Sequence, residues 1–147
     1  MGAHPYWYFV PYEQDLDAAL QKLRLREFQA GRYNPAMHFI NFPVDPSKPS
    51  SGPRHSSIDQ ARQAADADGT RSILDIDAIG DGPDFCTAAP LDDSVLQNLY
   101  QTAQPTRQMI ESNMDFLEDV ERGQAIYIVV YKNNHPDELF FAVYSFD

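Results

Sequence analysis

Hydrophobic positions along this chain fall into runs, helical stripes and short clusters, and each form predicts a different element. Tyr6-Trp7-Tyr8-Phe9-Val10 is a continuous aromatic and β-branched run closed by Pro11, which predicts a first strand. Leu16, Ala19, Leu20 and Leu23 then recur at helical spacing, with Phe28 beyond them. Asp15 and Asp17 stand at the start of that stretch, Lys22, Arg24 and Arg26 in its second half, and Gly31 after it. That order suits a helix dipole and a glycine stop, so a helix is expected here. Met37 to Phe42 reads as a second, short strand. Pro43 to Ser56 follows, with prolines at 43, 46, 49 and 53 and serines at 47, 50, 51 and 56. Such a segment cannot supply a regular hydrogen-bond ladder and is expected to be an exposed loop, an insertion rather than a functional flap.

Ser57-Ile58-Asp59-Gln60 has the spacing of a capping box, and the alanine-rich stretch to Asp68 predicts a short helix ended by Gly69. Ser72 to Ile79 reads as a strand and Asp81-Gly82-Pro83-Asp84 as a turn. Leu91-Asp92-Asp93 precedes Val95, Leu96, Leu99 and Tyr100, which predicts a helix capped by one of the aspartates. Pro105 then opens a second helix, with Met109, Ile110, Met114, Leu117 and Val120 as its apolar stripe and Arg122-Gly123 as its stop.

The end of the chain predicts a hairpin: Ile126 to Tyr131, a connection at Asn133-Asn134-His135-Pro136, and a return strand from Leu139 to Phe146. Both strands are apolar on both faces, as expected of strands inside a sheet covered on two sides. The elements together predict an α+β (α/β-type) protein. Its single mixed sheet of four or five strands would carry packed helices and end in a C-terminal antiparallel hairpin. At 147 residues, one domain over residues 1–147 is expected.

Charge sharpens the picture. From Ser72 to Thr106 there are 35 residues without a Lys or Arg, and the only charges are Asp75, Asp77, Asp81, Asp84, Asp92 and Asp93. Residues 1–56 carry a balance of +1 and residues 57–147 a balance of −12, so the net charge of −11 belongs to one part of the molecule. Crowded carboxylates repel unless water, a metal ion or a cationic partner screens them. This charge argues against nucleic-acid backbones and anionic membranes as ligands. No run of about 18 apolar residues occurs, so nothing is expected to span a membrane. Cys86 is the single cysteine, which excludes an internal disulfide and makes a reducing cytoplasm the default. The N-terminal residues lack the charge and apolar run of a signal peptide.

No catalytic or cofactor motif stands out: the phosphate loop, the dinucleotide fingerprint and the serine elbow are all missing. Alternation along a strand at 72–79 would put Asp75 and Asp77 on one face, about 7 Å apart at their backbones, with Asp81 just beyond. That arrangement makes Asp75, Asp77 and Asp81 candidate ligands for a hard divalent cation, and a metal-assisted hydrolase one alternative. Pairing with Arg71, Arg107 or an arginine of the first helix is the plainer account of the same aspartates. Cys86 lies among carboxylates, which raise a thiol pKa, so a buried apolar role is expected for it rather than catalysis.

Tyr6, Trp7, Tyr8, Tyr127, Tyr131 and Tyr144 would line a small-molecule pocket if the first strand and the hairpin were neighbours, although core packing is the commoner fate of such residues. The favoured expectation is a small acidic binding protein with no catalytic residue and no cofactor. It would dock a basic protein partner through Asp81, Asp84, Asp92 and Asp93. Small acidic inhibitors and immunity proteins follow the same charge logic, an analogy of size and charge alone. Helix capping by Asp92 or Asp93, and solubility, are the competing explanations.

Overall fold

A computed structural model of the protein describes residues 4–33 and 52–146. The strand expected at 37–42 and residues 43–51 of the proline-rich loop lie outside the described residues. The described chain contains five strands and four α-helices: β1 (Pro5–Pro11), α1 (Leu16–Ala30), α2 (Ile58–Ala65), β2 (Ala78–Ile79), β3 (Thr87–Pro90), α3 (Asp93–Tyr100), α4 (Arg107–Ser112), β4 (Ala125–Lys132) and β5 (His135–Tyr144). All five strands join one mixed sheet in the order β1-β5-β4-β3-β2. β5 runs antiparallel to both β1 and β4, whereas β4, β3 and β2 are mutually parallel. The carboxyl ends of β1, β2, β3 and β4 therefore share one edge of the sheet.

The sheet is covered on both faces, as the two-sided apolar hairpin predicts. On one face Leu20 and Leu23 of α1 pack with Tyr8, Val10, Ile73, Leu139, Phe141 and Val143. On the other, Leu96 of α3, Ile110 of α4 and Phe116 pack with Ile126, Ile128, Val130, Phe140 and Ala142. Phe140 and Phe141 are adjacent in sequence and fully buried on opposite faces. Each contributes on the order of 2–3 kcal/mol by leaving water. A third cluster of Phe28, Tyr33, Ala61 and Leu74 joins the end of α1 to α2.

Local signals account for the helix ends. The Asp15 side chain accepts from the Ala18 amide at the start of α1, and Gly31 closes the helix with a left-handed φ of 71°. Ser57 caps α2 by accepting from the Gln60 amide, while the Gln60 side chain turns to Ser56 rather than completing a capping box. The Tyr33 hydroxyl accepts from the Arg54 amide at 2.9 Å and meets His55 Nδ1 at 2.8 Å. The end of the proline-rich loop is thus tied to the core.

Three expectations are corrected. Ser72 to Ile79 is not a strand: residues Ile73–Asp75 form a 3₁₀ turn, and only Ala78–Ile79 pair in the sheet. Short polar side chains explain the change. Ser72 Oγ accepts from the Leu74 amide, the Asp75 carboxylate accepts from Thr70, and the Tyr8 hydroxyl accepts from the Ile73 amide. The local Ser72 bond and the distant Tyr8 bond satisfy the Leu74 and Ile73 amides in a turn, in competition with a ladder. The long helix expected after Pro105 is split into α4 and a 3₁₀ turn at Asp115–Asp119, because Asn113 takes an extended conformation and its side chain accepts from the Asp115 amide. β3 was not foreseen. The hairpin is present with a tighter connection, since Asn133 and Asn134 alone turn the chain, both at positive φ (53° and 65°).

Candidate functional site

Asp75 and Asp77 diverge. Asp75 is buried, and its Oδ1 accepts from the Thr70 amide at 2.8 Å and the Thr70 hydroxyl at 2.7 Å. Its Oδ2 has no hydrogen-bond partner among the described residues. Burial pushes this carboxyl above its usual range, against the pull of the Thr70 bonds. Asp77 instead faces α1 and α2. Its carboxylate pairs closely with Arg62, and Arg24 stands 3.7 Å away. Arg24 also donates to the Leu74 carbonyl at 3.2 Å. Burial, together with the neighbouring Arg62, lowers its pKa, while Asp77 acts the other way. This is the arginine of the first helix that the plainer account required, joined by Arg62. Asp81 lies past the carboxyl end of β2, so the expected ligand trio is not gathered at one point. Among the described residues no group of three or more His, Cys, Asp or Glu side chains is placed to hold a metal ion.

Cys86 bridges the amino ends of the strands through its backbone. Its amide donates to the Gly123 carbonyl at 2.7 Å and its carbonyl accepts from the Asp77 amide at 2.8 Å. The thiol sulfur receives a contact from Arg62 Nη2 at 3.7 Å. Burial nevertheless pushes the thiol pKa up, with Asp77 adding to it, and a protonated thiol is a poor nucleophile.

The remaining aspartates, Asp81, Asp84, Asp92 and Asp93, are all exposed. None is ion-paired among the described residues. Asp84 accepts from the Phe85 amide at 2.7 Å, which leaves its charge facing water. Asp92 occupies the cap position of α3 but makes no side-chain cap bond, so capping does not explain it. β2 pairs with β3 through Ala78↔Thr87 and Ile79↔Ala88, and the Gly80 amide extends the ladder to the Ala88 carbonyl. Asp81 follows the carboxyl end of β2, and Asp92 and Asp93, at the start of α3, follow the carboxyl end of β3 at the same edge of the sheet. Asp84 heads back toward the start of β3, where its carbonyl accepts from the Thr87 amide. The fold therefore gathers three of the four at the carboxyl edge and strings the fourth along the loop after the exposed strand β2.

At the same edge a groove of about 290 Å³ opens beside the start of α1 and the ends of β3 and β4. Tyr12, Tyr127 and Tyr131 line it, with Gln14, Leu91 and Asp93. The three tyrosines are half-buried, and their hydroxyls bond to no described residue. Burial raises the Tyr127 pKa and Asp81 raises it further, which places the Asp81 charge within electrostatic reach of that hydroxyl. Of the aromatics singled out from the sequence, Tyr127 and Tyr131 reach this groove, whereas Tyr6 and Tyr8 are core. Tyr12 was missed; its one sequence signal is its place directly after the strand-closing Pro11.

No family model matches the chain, and no match to it is found among curated proteins or solved structures. No helix among the described residues is long and apolar enough to cross a membrane.

Proposed function

We propose that this protein is a binding module that docks a basic protein partner through the acidic surface of Asp81, Asp84, Asp92 and Asp93, without covalent catalysis. One observation carries the reading: the four carboxylates are exposed and form no ion pair with any described residue, in a segment of the chain that has no Lys or Arg. Their mutual repulsion opposes folding slightly and is relieved when a cationic surface approaches. Such a patch raises the rate of encounter with a basic partner, and the gain falls as salt screens it. Metal-assisted hydrolysis draws less support, because Asp77 is already engaged by arginines and Asp75 points into the core. A cytoplasmic setting fits the lone Cys86 thiol.

The test is replacement of all four aspartates by lysine, with thermal unfolding as a check on the fold. The wild-type protein should retain a reproducible basic partner from lysate at low salt, and the variant should retain none. Unchanged retention by a folded variant would remove this surface as the interface.

A further inference from the structure

We infer that the groove lined by Tyr12, Tyr127, Tyr131 and Asp93 is a receptor for a cationic side chain, an arginine presented by the partner protein. The inference rests on the docking reading and adds its anchoring contact. At about 290 Å³ the groove lies at the lower limit of ligand pockets and suits one side chain better than a nucleotide or cofactor. Its chemistry selects the charge. Three tyrosines bring electron-rich rings to the lining, Asp93 stands among them, and Asp81 acts on the Tyr127 hydroxyl. Among the described residues the lining contains no Lys, Arg or His to repel a cation.

Aromatic faces attract guanidinium groups, and a carboxylate beside them accepts hydrogen bonds in the plane of the fork. Arginine is favoured over lysine because its flat, weakly hydrated head both stacks and bonds. The three hydroxyls, which bond to no described residue, can accept from the remaining donors. A larger groove of about 460 Å³ lies against α1, but its lining mixes Glu13 with Lys22 and Arg26, and it selects no charge.

Titration of the ¹⁵N-labelled protein with N-acetyl-arginine amide at physiological salt, followed by amide chemical shifts, tests this. Saturable shifts centred on Tyr12, Leu91, Asp93, Tyr127 and Tyr131 are expected, with a dissociation constant on the order of 1 mM for so small a probe. N-acetyl-citrulline amide, which keeps the shape without the charge, should give none. Tyr127→Leu and Asp93→Asn should each weaken binding by roughly 3- to 10-fold, the usual range for one cation–π or charged contact. Equal response to citrulline, or absence of groove shifts, would overturn the inference. A stronger response to tetramethylammonium than to arginine would overturn the proposed occupant. If a tetra-arginine peptide shifts only the Asp81–Asp93 loop residues, the groove fails while the docking surface stands. If arginine fills the groove and the four-lysine variant still retains its partners, the docking reading fails and the groove stands alone.

Discussion

Glu27 offers the sharpest test of how this fold is held together. It lies in the last turn of α1 and is completely buried. Its Oε1 accepts from Arg32 Nε at 2.8 Å, and its Oε2 accepts from Arg32 Nη2 at 2.6 Å and Arg26 Nε at 2.9 Å. The hydrogen bonds that Arg32 donates to Glu27 in turn hold its guanidinium above its ordinary pKa. Removing one member of a buried ion pair typically costs about 3–5 kcal/mol, because the other charge is left without a partner. Here the arginines keep an escape: their side chains are 29% and 17% exposed, so their heads can turn partly to water. The expected loss for Glu27→Ala therefore lies at the lower end, about 3 kcal/mol. For a domain of this size that corresponds to a fall in Tm of roughly 6–12 °C.

Urea unfolding of wild type, Glu27→Ala, Arg32→Ala and the double variant would measure both the loss and its origin. If pairing is the mechanism, the double variant should lose at least about 1 kcal/mol less than the sum of the singles. A single-variant loss below about 1 kcal/mol would put the site in the class of exposed pairs and refute the reasoning. Strict additivity would do the same, by showing that Glu27 acts through packing alone.

Two other outcomes are expected. Because burial raises the Asp75 carboxyl, its favourable contribution is present below the usual aspartate pKa of about 3.9 and is lost as pH rises through the folded-state value. Asp75→Asn should remove that pH dependence, so the stability of the variant relative to wild type should climb from pH 4 toward neutrality; parallel stability curves would show that Asp75 does not titrate this way. Deleting residues 142–147 would remove Ala142 and Val143, both buried in the interior strand β5, together with the end of its ladder to β1 and β4. No cooperative thermal transition is then expected, and a stably folded truncated protein would contradict the need for β5 between β1 and β4.

Elements whose signals are local are legible in the chain. The run Tyr6–Val10, the Asp15 and Gly31 ends of α1, the Ser57 cap and the apolar hairpin all carry their instructions within a few residues of where they act. The two-sided hairpin also announced a sheet covered on both faces, since strands apolar on alternate and intervening positions have no face left for water. Local reading failed where distant partners or competing hydrogen bonds decide. Thr87-Ala88-Ala89-Pro90 has little intrinsic strand preference and becomes β3 through parallel pairing with β2 and β4 on either side. Residues 72–79 alternate like a strand, yet the Tyr8 and Ser72 hydroxyls take up the Ile73 and Leu74 amides in a turn.

The aspartates divide the same way. Their exposure in a cation-free segment was legible as charge, because composition fixes charge without regard to geometry. Tertiary structure alone decided that Asp75 turns inward to Thr70 and that Arg62 and Arg24 take up Asp77. It also brought Tyr12, just past the end of β1, into one groove with Tyr127, Tyr131 and Asp93. Those residues are separated by up to 119 positions in the chain. Only the parallel run of β1, β3 and β4, whose carboxyl ends share an edge, closes that distance.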